Sequence, residues 1–281
     1  MLKDEYIVCR NRLREGGIPD AGFEAVCIIE HATGCGRAAQ IAHGDRAVTD
    51  AEKAVIDHIT EERLKRFPLQ YLLGTRQFFG FDFAVGEGVL IPRDDTEVAV
   101  GLCLDYLKDK GGAKAVDLCA GSGAIAVALS KLTAAEVTAV ELSDKAFYFL
   151  EKNIKDNGTA VKAIKGDVFT CHSGFADASL DLIVSNPPYI KRGELPGLQA
   201  EVLHEPKMAL DGGESGLDFY RAITRDWSRK LKNGGALVFE LGEEQADDVA
   251  RMMTAQGFVN IRCENDIGGT QRAIIGTMLR K

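Results

Sequence analysis

The chain has 281 residues and 46% hydrophobic content, enough to bury a sizeable core, and its length points to two domains. Its formal charge of -8 gives a surface that repels a phosphate backbone unless a local basic patch offsets it, which argues modestly against a nucleic-acid substrate. Seven scattered cysteines without CxxC or zinc spacing exclude a disulfide framework or a metal cluster, and no run is long and apolar enough to span a bilayer. A reduced, cytoplasmic, soluble protein with no metal and no membrane contact is expected.

From Lys3 to Arg66 the pattern is helical. Ala25, Val26, Ile28 and Ile29 form an apolar stripe ending at Gly34, and Thr49-Asp50-Ala51-Glu52 is a capping box ahead of Ala54, Val55, Ile56 and Ile59. Pro68 is read as the end of this small helical domain. The stretch from Gly74 to Phe83 alternates in the manner of a hairpin and reads as a connector. Its four phenylalanines, Phe78, Phe79, Phe81 and Phe83, are expected to pack against the following domain.

After Pro92 strand-like and helical runs alternate, the pattern of a doubly wound α/β sheet. Strands are predicted at 115–118, 136–140, 161–164, 180–185 and 236–240, with two more runs at 258–262 and 272–278 closing the sheet as a hairpin-like pair. Between the second and third strands a helix is predicted from Ser143, its N-cap, to Asn157, stopped by Gly158. Trp227, at helical spacing with Tyr220 and Ile223, reads as core.

A glycine loop follows the first strand of that sheet, running from Asp117 through Cys119 and Ala120 to Gly121-Ser122-Gly123-Ala124. Gly121 and Gly123 let bare backbone approach a ligand at a helix N-terminus, at the switch point where open α/β sheets hold cofactors. Glu141, about 20 residues on at the end of the next strand, can accept both hydroxyls of a ribose. Asp167, after the third strand, and Val168 beside it fit adenine contacts, although an acid there is often only a cap. The loop also fits a dinucleotide fingerprint, so by itself it establishes an adenosine-type cofactor and no more.

The discriminating stretch is Asn186-Pro187-Pro188-Tyr189 at the end of the fourth strand. Successive prolines stiffen the corner and leave the Pro187 carbonyl beside the Asn186 side-chain carbonyl as a pair of acceptors. A planar NH2 group can give one hydrogen to each while the Tyr189 ring covers its face. Such a grip suits glutamine, asparagine or an exocyclic base amine; alone, the same residues also read as an ordinary turn. A dehydrogenase needs a hydride acceptor site instead. An amine grip facing an adenosine crevice favours S-adenosylmethionine as methyl donor and S-adenosylhomocysteine as product.

In order along the chain stand Gln70-Tyr71-x-x-Gly74, Ile91-Pro92-Arg93-x-Asp95-Thr96-Glu97, Asp117 to Gly123, Asn186 to Ile190, Glu205-Pro206-x-x-Ala209-Leu210-Asp211-Gly212-Gly213 and Asp266-x-x-Gly269-x-x-Arg272. This series resembles the bacterial peptide chain release factor glutamine methyltransferases over nearly the whole chain. The resemblance implies a Rossmann-like seven-stranded methyltransferase sheet, with residues 1–74 as a helical substrate-docking domain, 75–90 as hairpin connector and 91–281 as the S-adenosylmethionine-dependent domain. It implies methylation of the GGQ glutamine of class 1 release factors on its side-chain nitrogen, by a monomer with no direct nucleic-acid contact. Ala120, Gly121, Ser122, Gly123, Ala124, Glu141, Asp167, Val168 and Asn186 are then the cofactor contacts. Asn186, Pro187 and Tyr189 are the catalytic positions, with Pro188 and Arg93 added for substrate. The competing readings are a ribosomal-protein glutamine methyltransferase and an adenine or guanine amino methyltransferase.

Several positions depart from the family pattern: Glu141 for a common aspartate, Asp95 for glutamate, Val168 for an aromatic in some members, and Cys119-Ala120 where glycine is frequent. None removes a group the chemistry needs. Arg93 is expected either in a salt bridge or against a substrate carbonyl. His204 reads as a surface or turn residue, because the transfer needs no strong acid.

Overall fold

A computed structural model of the chain describes residues 1–280. It divides into two compact units, one of residues 1–75 with 199–204, the other of residues 76–198 with 205–281.

The first unit is helical: α1 (Leu2–Glu15), α2 (Ala21–Thr33), α3 (Arg37–Ala42), α4 (Asp50–Leu64) and α5 (Leu69–Leu73). The Thr49–Glu52 box closes as expected, with Glu52 N donating to Thr49 Oγ1 at 3.2 Å and Thr49 N to Glu52 Oε2 at 2.8 Å. Gly34 ends α2 in the left-handed region, φ 70, where it caps the last carbonyls without a Cβ clash. Leu2, Leu13, Ile28, Ile29, Ile56 and Ile59 form the core, each side chain contributing roughly 1.5–3 kcal/mol by burial. Pro68 does not end the helices. It caps α5, because a proline at a helix start lacks only an N–H that would be unpaired there anyway. Arg63, 5% exposed, donates to Glu24 and to Glu201 of the 199–204 segment at 2.7 and 3.0 Å.

A hairpin, β1 (Thr75–Phe78) and β2 (Phe81–Ala84), turns through Phe79 and Gly80, both at positive φ (50 and 79), the pair that matches strand twist in a two-residue loop. Phe78 and Phe83 are buried in the core of the second unit, and Phe79 and Phe81 pack against it.

The second unit continues with α6 (Thr96–Leu107), β3 (Lys114–Leu118), α7 (Ala124–Leu132), β4 (Glu136–Glu141), α8 (Asp144–Asp156), β5 (Lys162–Lys165), β6 (Leu180–Ser185), α9 (Asp218–Asp226), β7 (Leu231–Glu240), α10 (Ala246–Ala255), β8 (Phe258–Asn265) and β9 (Gln271–Met278). Its seven-stranded sheet runs β5-β4-β3-β6-β7-β9-β8. The first five strands are parallel, and β9 is antiparallel to both neighbours. Alternation splits the strands between two cores, the arrangement of a sheet covered on both faces. Leu182, Val184 and Val238 join Val100 of α6, Leu129 of α7 and Leu150 of α8. Ile183, Leu237 and Phe239 join Tyr220 and Ile223 of α9, the following Trp227, and Val249 of α10.

Strand order reverses between β3 and β6, so the loops after their carboxyl ends diverge and open a crevice. Register brings the strand ends together: Leu118 pairs with Val140 and with Ser185, and Ser185 with Phe239. Among the described residues no helix is long and apolar enough to cross a membrane, and no cluster of metal-ligating side chains occurs.

Candidate active site

The glycine loop turns from β3 into α7 at the rim of this crevice. Gly123, at φ 83, caps α7, and a Cβ there would lie 2.6 Å from Leu150 Cδ1. Gly121, at φ 55, faces open space, so its backbone stays accessible and a side chain would fill the approach. Cys119, at φ 59, also lies in the left-handed region. That conformation is costly for a residue with a Cβ.

Three side chains hold the loop. Glu141, 8% exposed, ends β4 and accepts from Gly121 N at 2.8 Å and from Ser143 N at 2.7 Å. Each of its oxygens keeps a further lone pair. Asp117, 1% exposed, accepts from Ala126 N at 3.1 Å through Oδ2, while Oδ1 has no partner. Burial, only partly offset by the Ala126 bond and reinforced by the Glu141 charge, pushes this carboxyl up to about 8. Asn153 of α8 is fully buried and donates to the Ser122 and Ala84 carbonyls at 2.9 and 3.0 Å, fastening the loop to β2. The sequence reading missed Asn153. A polar residue on the buried stripe of an amphipathic helix was its only signal.

Beyond β5, Asp167 Oδ1 accepts from Phe169 N at 2.9 Å, and its carbonyl accepts from Thr170 and Cys171. It therefore closes the turn, as the cap reading allowed. Val168 is buried in the second core and its carbonyl receives the Trp227 indole N–H at 2.9 Å. The accessible ring at this strand end is that of Phe169, 41% exposed, against Phe219.

The Asn186–Tyr189 corner follows β6 directly. Pro187 and Pro188 are buried, while Asn186 and Tyr189 are half-buried. Asn186 Nδ2 donates to Thr96 Oγ1 at 3.3 Å, which leaves Oδ1 as the outward atom of the amide. Among the described residues none donates to Asn186 Oδ1 or to the Pro187 carbonyl. The far side of the corner is clamped. Ile190 N donates to Leu210 O and Gly212 N to Ile190 O, and the Gln245 amide donates to the Tyr189 carbonyl at 2.9 Å. A Cβ on Gly212 would lie 2.8 Å from the Pro188 carbonyl, so glycine is required for this close approach.

The family model for the PrmC N-terminal domain matches residues 8–74, and that for the methyltransferase small domain matches residues 82–215. The release factor glutamine methyltransferase of Geobacter sulfurreducens is 40% identical over 269 residues, covering 95% of this chain and 93% of the relative. That of Clostridium botulinum is 32% identical over 278 residues, covering 98% of each. The chain belongs to the release factor glutamine methyltransferase family. Among solved structures, a methyltransferase from Pyrococcus furiosus aligns with a TM-score of 0.55 at 19% identity, over 78% of this chain and all (100%) of that one. The hMettl16 catalytic domain aligns at 0.60 and 15%, over 79% and 83%. At such identities the likeness shows the fold alone, a Rossmann-like methyltransferase sheet as the sequence implied.

In this release factor glutamine methyltransferase relative, several of the second unit's segments that carry the family resemblance bond to one another. Glu205, 6% exposed, accepts from Ile91 N at 3.0 Å and pairs with Arg93. Arg93 therefore takes the salt-bridge option, with part of its guanidinium still exposed. Burial pushes the Glu205 carboxyl up, opposed by the Arg93 charge. Arg272 bridges Asp266 at 3.1 Å and Asp95 at 3.4 Å, joining β9 to the start of α6. The 206–213 segment supplies the Leu210 and Gly212 bonds to the corner. His204 is exposed, its ring edge-on to Phe67 at 5.2 Å, in keeping with a surface role.

Proposed function

We propose that this chain transfers the methyl group of S-adenosylmethionine to the side-chain amide nitrogen of the GGQ glutamine in class 1 release factors. One observation carries the reading of the site. Two acceptors without internal partners, Asn186 Oδ1 and the Pro187 carbonyl, stand at the strand-order switch point beside an open glycine loop. The donor set suits the methyl donor: bare backbone at Gly121, Ser122 and Gly123, spare lone pairs on Glu141 for a ribose, and an exposed apolar ring at Phe169, next in sequence to the buried Val168, for adenine. Ala120, Ala124 and Asp167 complete that contact set. When bound, the cofactor supplies an electrophilic methyl on a positively charged sulfur.

The remaining chemistry belongs to the corner. An amide nitrogen is a poor nucleophile, because its lone pair is delocalised into the carbonyl. Asn186 Oδ1 and the Pro187 carbonyl each accept one N–H, orient the lone pair, and strengthen their bonds as positive charge grows on the nitrogen, which afterwards gives its extra proton to water. Tyr189 and Pro188 bound the amide plane, and holding the nitrogen in place supplies the entropic part of the acceleration. The same pair disfavours glutamate, which has no hydrogens to offer; sites of this kind reject such analogues by on the order of ten-thousand-fold. Arg93 has donors left for a substrate carbonyl, and the helical unit serves to hold the release factor. A cytoplasmic monomer without direct nucleic-acid contact follows from this reading.

A labelled-methyl assay offering release factor, ribosomal protein and nucleic acid in parallel tests it. Label on the GGQ glutamine alone is expected, with Asn186→Ala losing turnover far more than cofactor affinity. Label on another substrate, or full turnover in Asn186→Ala, contradicts it.

A further inference from the structure

Which end of the Asn186 amide faces the crevice decides what the corner binds. Oδ1 outward accepts from a carboxamide; Nδ2 outward would donate to a carboxylate. One hydrogen bond makes the choice, from Nδ2 to Thr96 Oγ1 at 3.3 Å. A hydroxyl accepts such a bond while directing its own proton elsewhere, and the Thr96 hydroxyl lies near enough to the Glu240 carboxylate to stabilise its ionised form. Glu240 ends β7, is 1% exposed, and also receives the Tyr189 hydroxyl on Oε1 at 3.3 Å. Its Oε2 is buried and has no hydrogen-bond partner among the described residues, so its lone pairs stay free.

An ionised carboxylate is acceptor-only and draws both hydroxyl protons toward itself. Thr96 is then left with lone pairs for Asn186 Nδ2, and the amide oxygen is held outward. We infer that Thr96 and Glu240 are positioning residues that fix the orientation of the Asn186 amide and so make the corner select glutamine over glutamate. This rests on the reading of Asn186 as the amide acceptor. Nothing in the transfer itself otherwise uses a buried carboxylate at the end of β7.

The groups facing Glu240 set its titration. Burial raises it most, Thr96, Arg272 of β9 and the Tyr189 hydroxyl lower it, and Asp95 raises it, leaving the carboxyl at about 7. Arg272 is itself shared with Asp95 and Asp266. Above that pH the carboxylate is ionised and the relay is set. Below it the protonated group can donate to Thr96, whose proton is then free to point at Asn186 and favour the flipped amide.

The test measures methyl transfer to a release factor, and inhibition by the same factor carrying glutamate in the GGQ position, across about pH 6 to 9. Thr96→Val should lower kcat about tenfold, leave cofactor affinity unchanged and tighten the glutamate inhibitor about tenfold, the worth of one hydrogen bond; Thr96→Ser should restore all three. Glu240→Gln should abolish the acid limb that wild type shows near pH 7. Wild-type kcat and wild-type inhibition in Thr96→Val, or an unchanged acid limb in Glu240→Gln, overturns the relay; loss of transfer in Asn186→Ala under the same conditions leaves the functional reading standing. Absence of transfer by wild type overturns both.

Discussion

Replacing Glu141 with alanine separates cofactor binding from catalysis. The carboxylate accepts from Gly121 N and Ser143 N at 2.8 and 2.7 Å, so it shapes the loop as well as offering two lone pairs to a ribose. A hydrogen bond to a charged acceptor contributes roughly 1.5–3 kcal/mol, and the lower figure applies because each oxygen is already shared with a backbone N–H. Two such bonds give about 3 kcal/mol, or on the order of a hundredfold in dissociation constant. Glutamine is no conservative substitute, since its NH2 would face one of the two backbone donors. Aspartate keeps the charge but shortens the reach, and should fall between. Calorimetric titration with S-adenosylhomocysteine measures the effect. An Ala variant binding within about threefold of wild type, while still folded by thermal unfolding, would refute the ribose assignment.

Other perturbations address the scaffold. Glu205→Ala leaves the buried Ile91 N–H unpaired and frees Arg93; a loss of about 2–4 kcal/mol in urea unfolding is expected, most of it from the orphaned donor because Arg93 is half-exposed. An unchanged midpoint would mean these segments do not brace each other. Asp117 binds its proton more tightly folded than unfolded, so its stabilising effect is full below about pH 4 and is lost as pH rises through about 8. Stability of wild type relative to Asp117→Asn should therefore decline across that window, and a flat difference would show that the carboxyl ionises normally. Phe169→Ala should weaken cofactor binding more than Val168→Ala weakens it, as read by the same calorimetry, because only the Phe169 ring is substantially exposed.

Much of this fold is written in local pattern. The 180–185 run is a strand because its alternate residues fill cores on both sheet faces, and Ser143 caps α8 through Ala146 N at 3.4 Å. Where the reading fell short, backbone detail was responsible. The β7 strand begins at Leu231 rather than 236, because Lys232-Asn233-Gly234-Gly235 reads as loop but is carried through a register shift opposite Leu180–Leu182. Pro68 looked terminal but caps another helix turn. At the site, Asn186 and the glycine loop were visible because their types are unusual for their places. Thr96 and Glu205 were visible only as motif letters; their partners are distant in sequence. Glu240 had a signal that went unused, an acid closing an apolar strand, as Glu141 closes β4.

A structure of the protein with S-adenosylhomocysteine and a GGQ-bearing release factor domain addresses the central claim directly. The account predicts the glutamine side-chain nitrogen within hydrogen-bonding distance, about 2.7–3.2 Å, of both Asn186 Oδ1 and the Pro187 carbonyl. A glutamine nitrogen held by other groups, or an Asn186 amide turned with Nδ2 toward it, would contradict it.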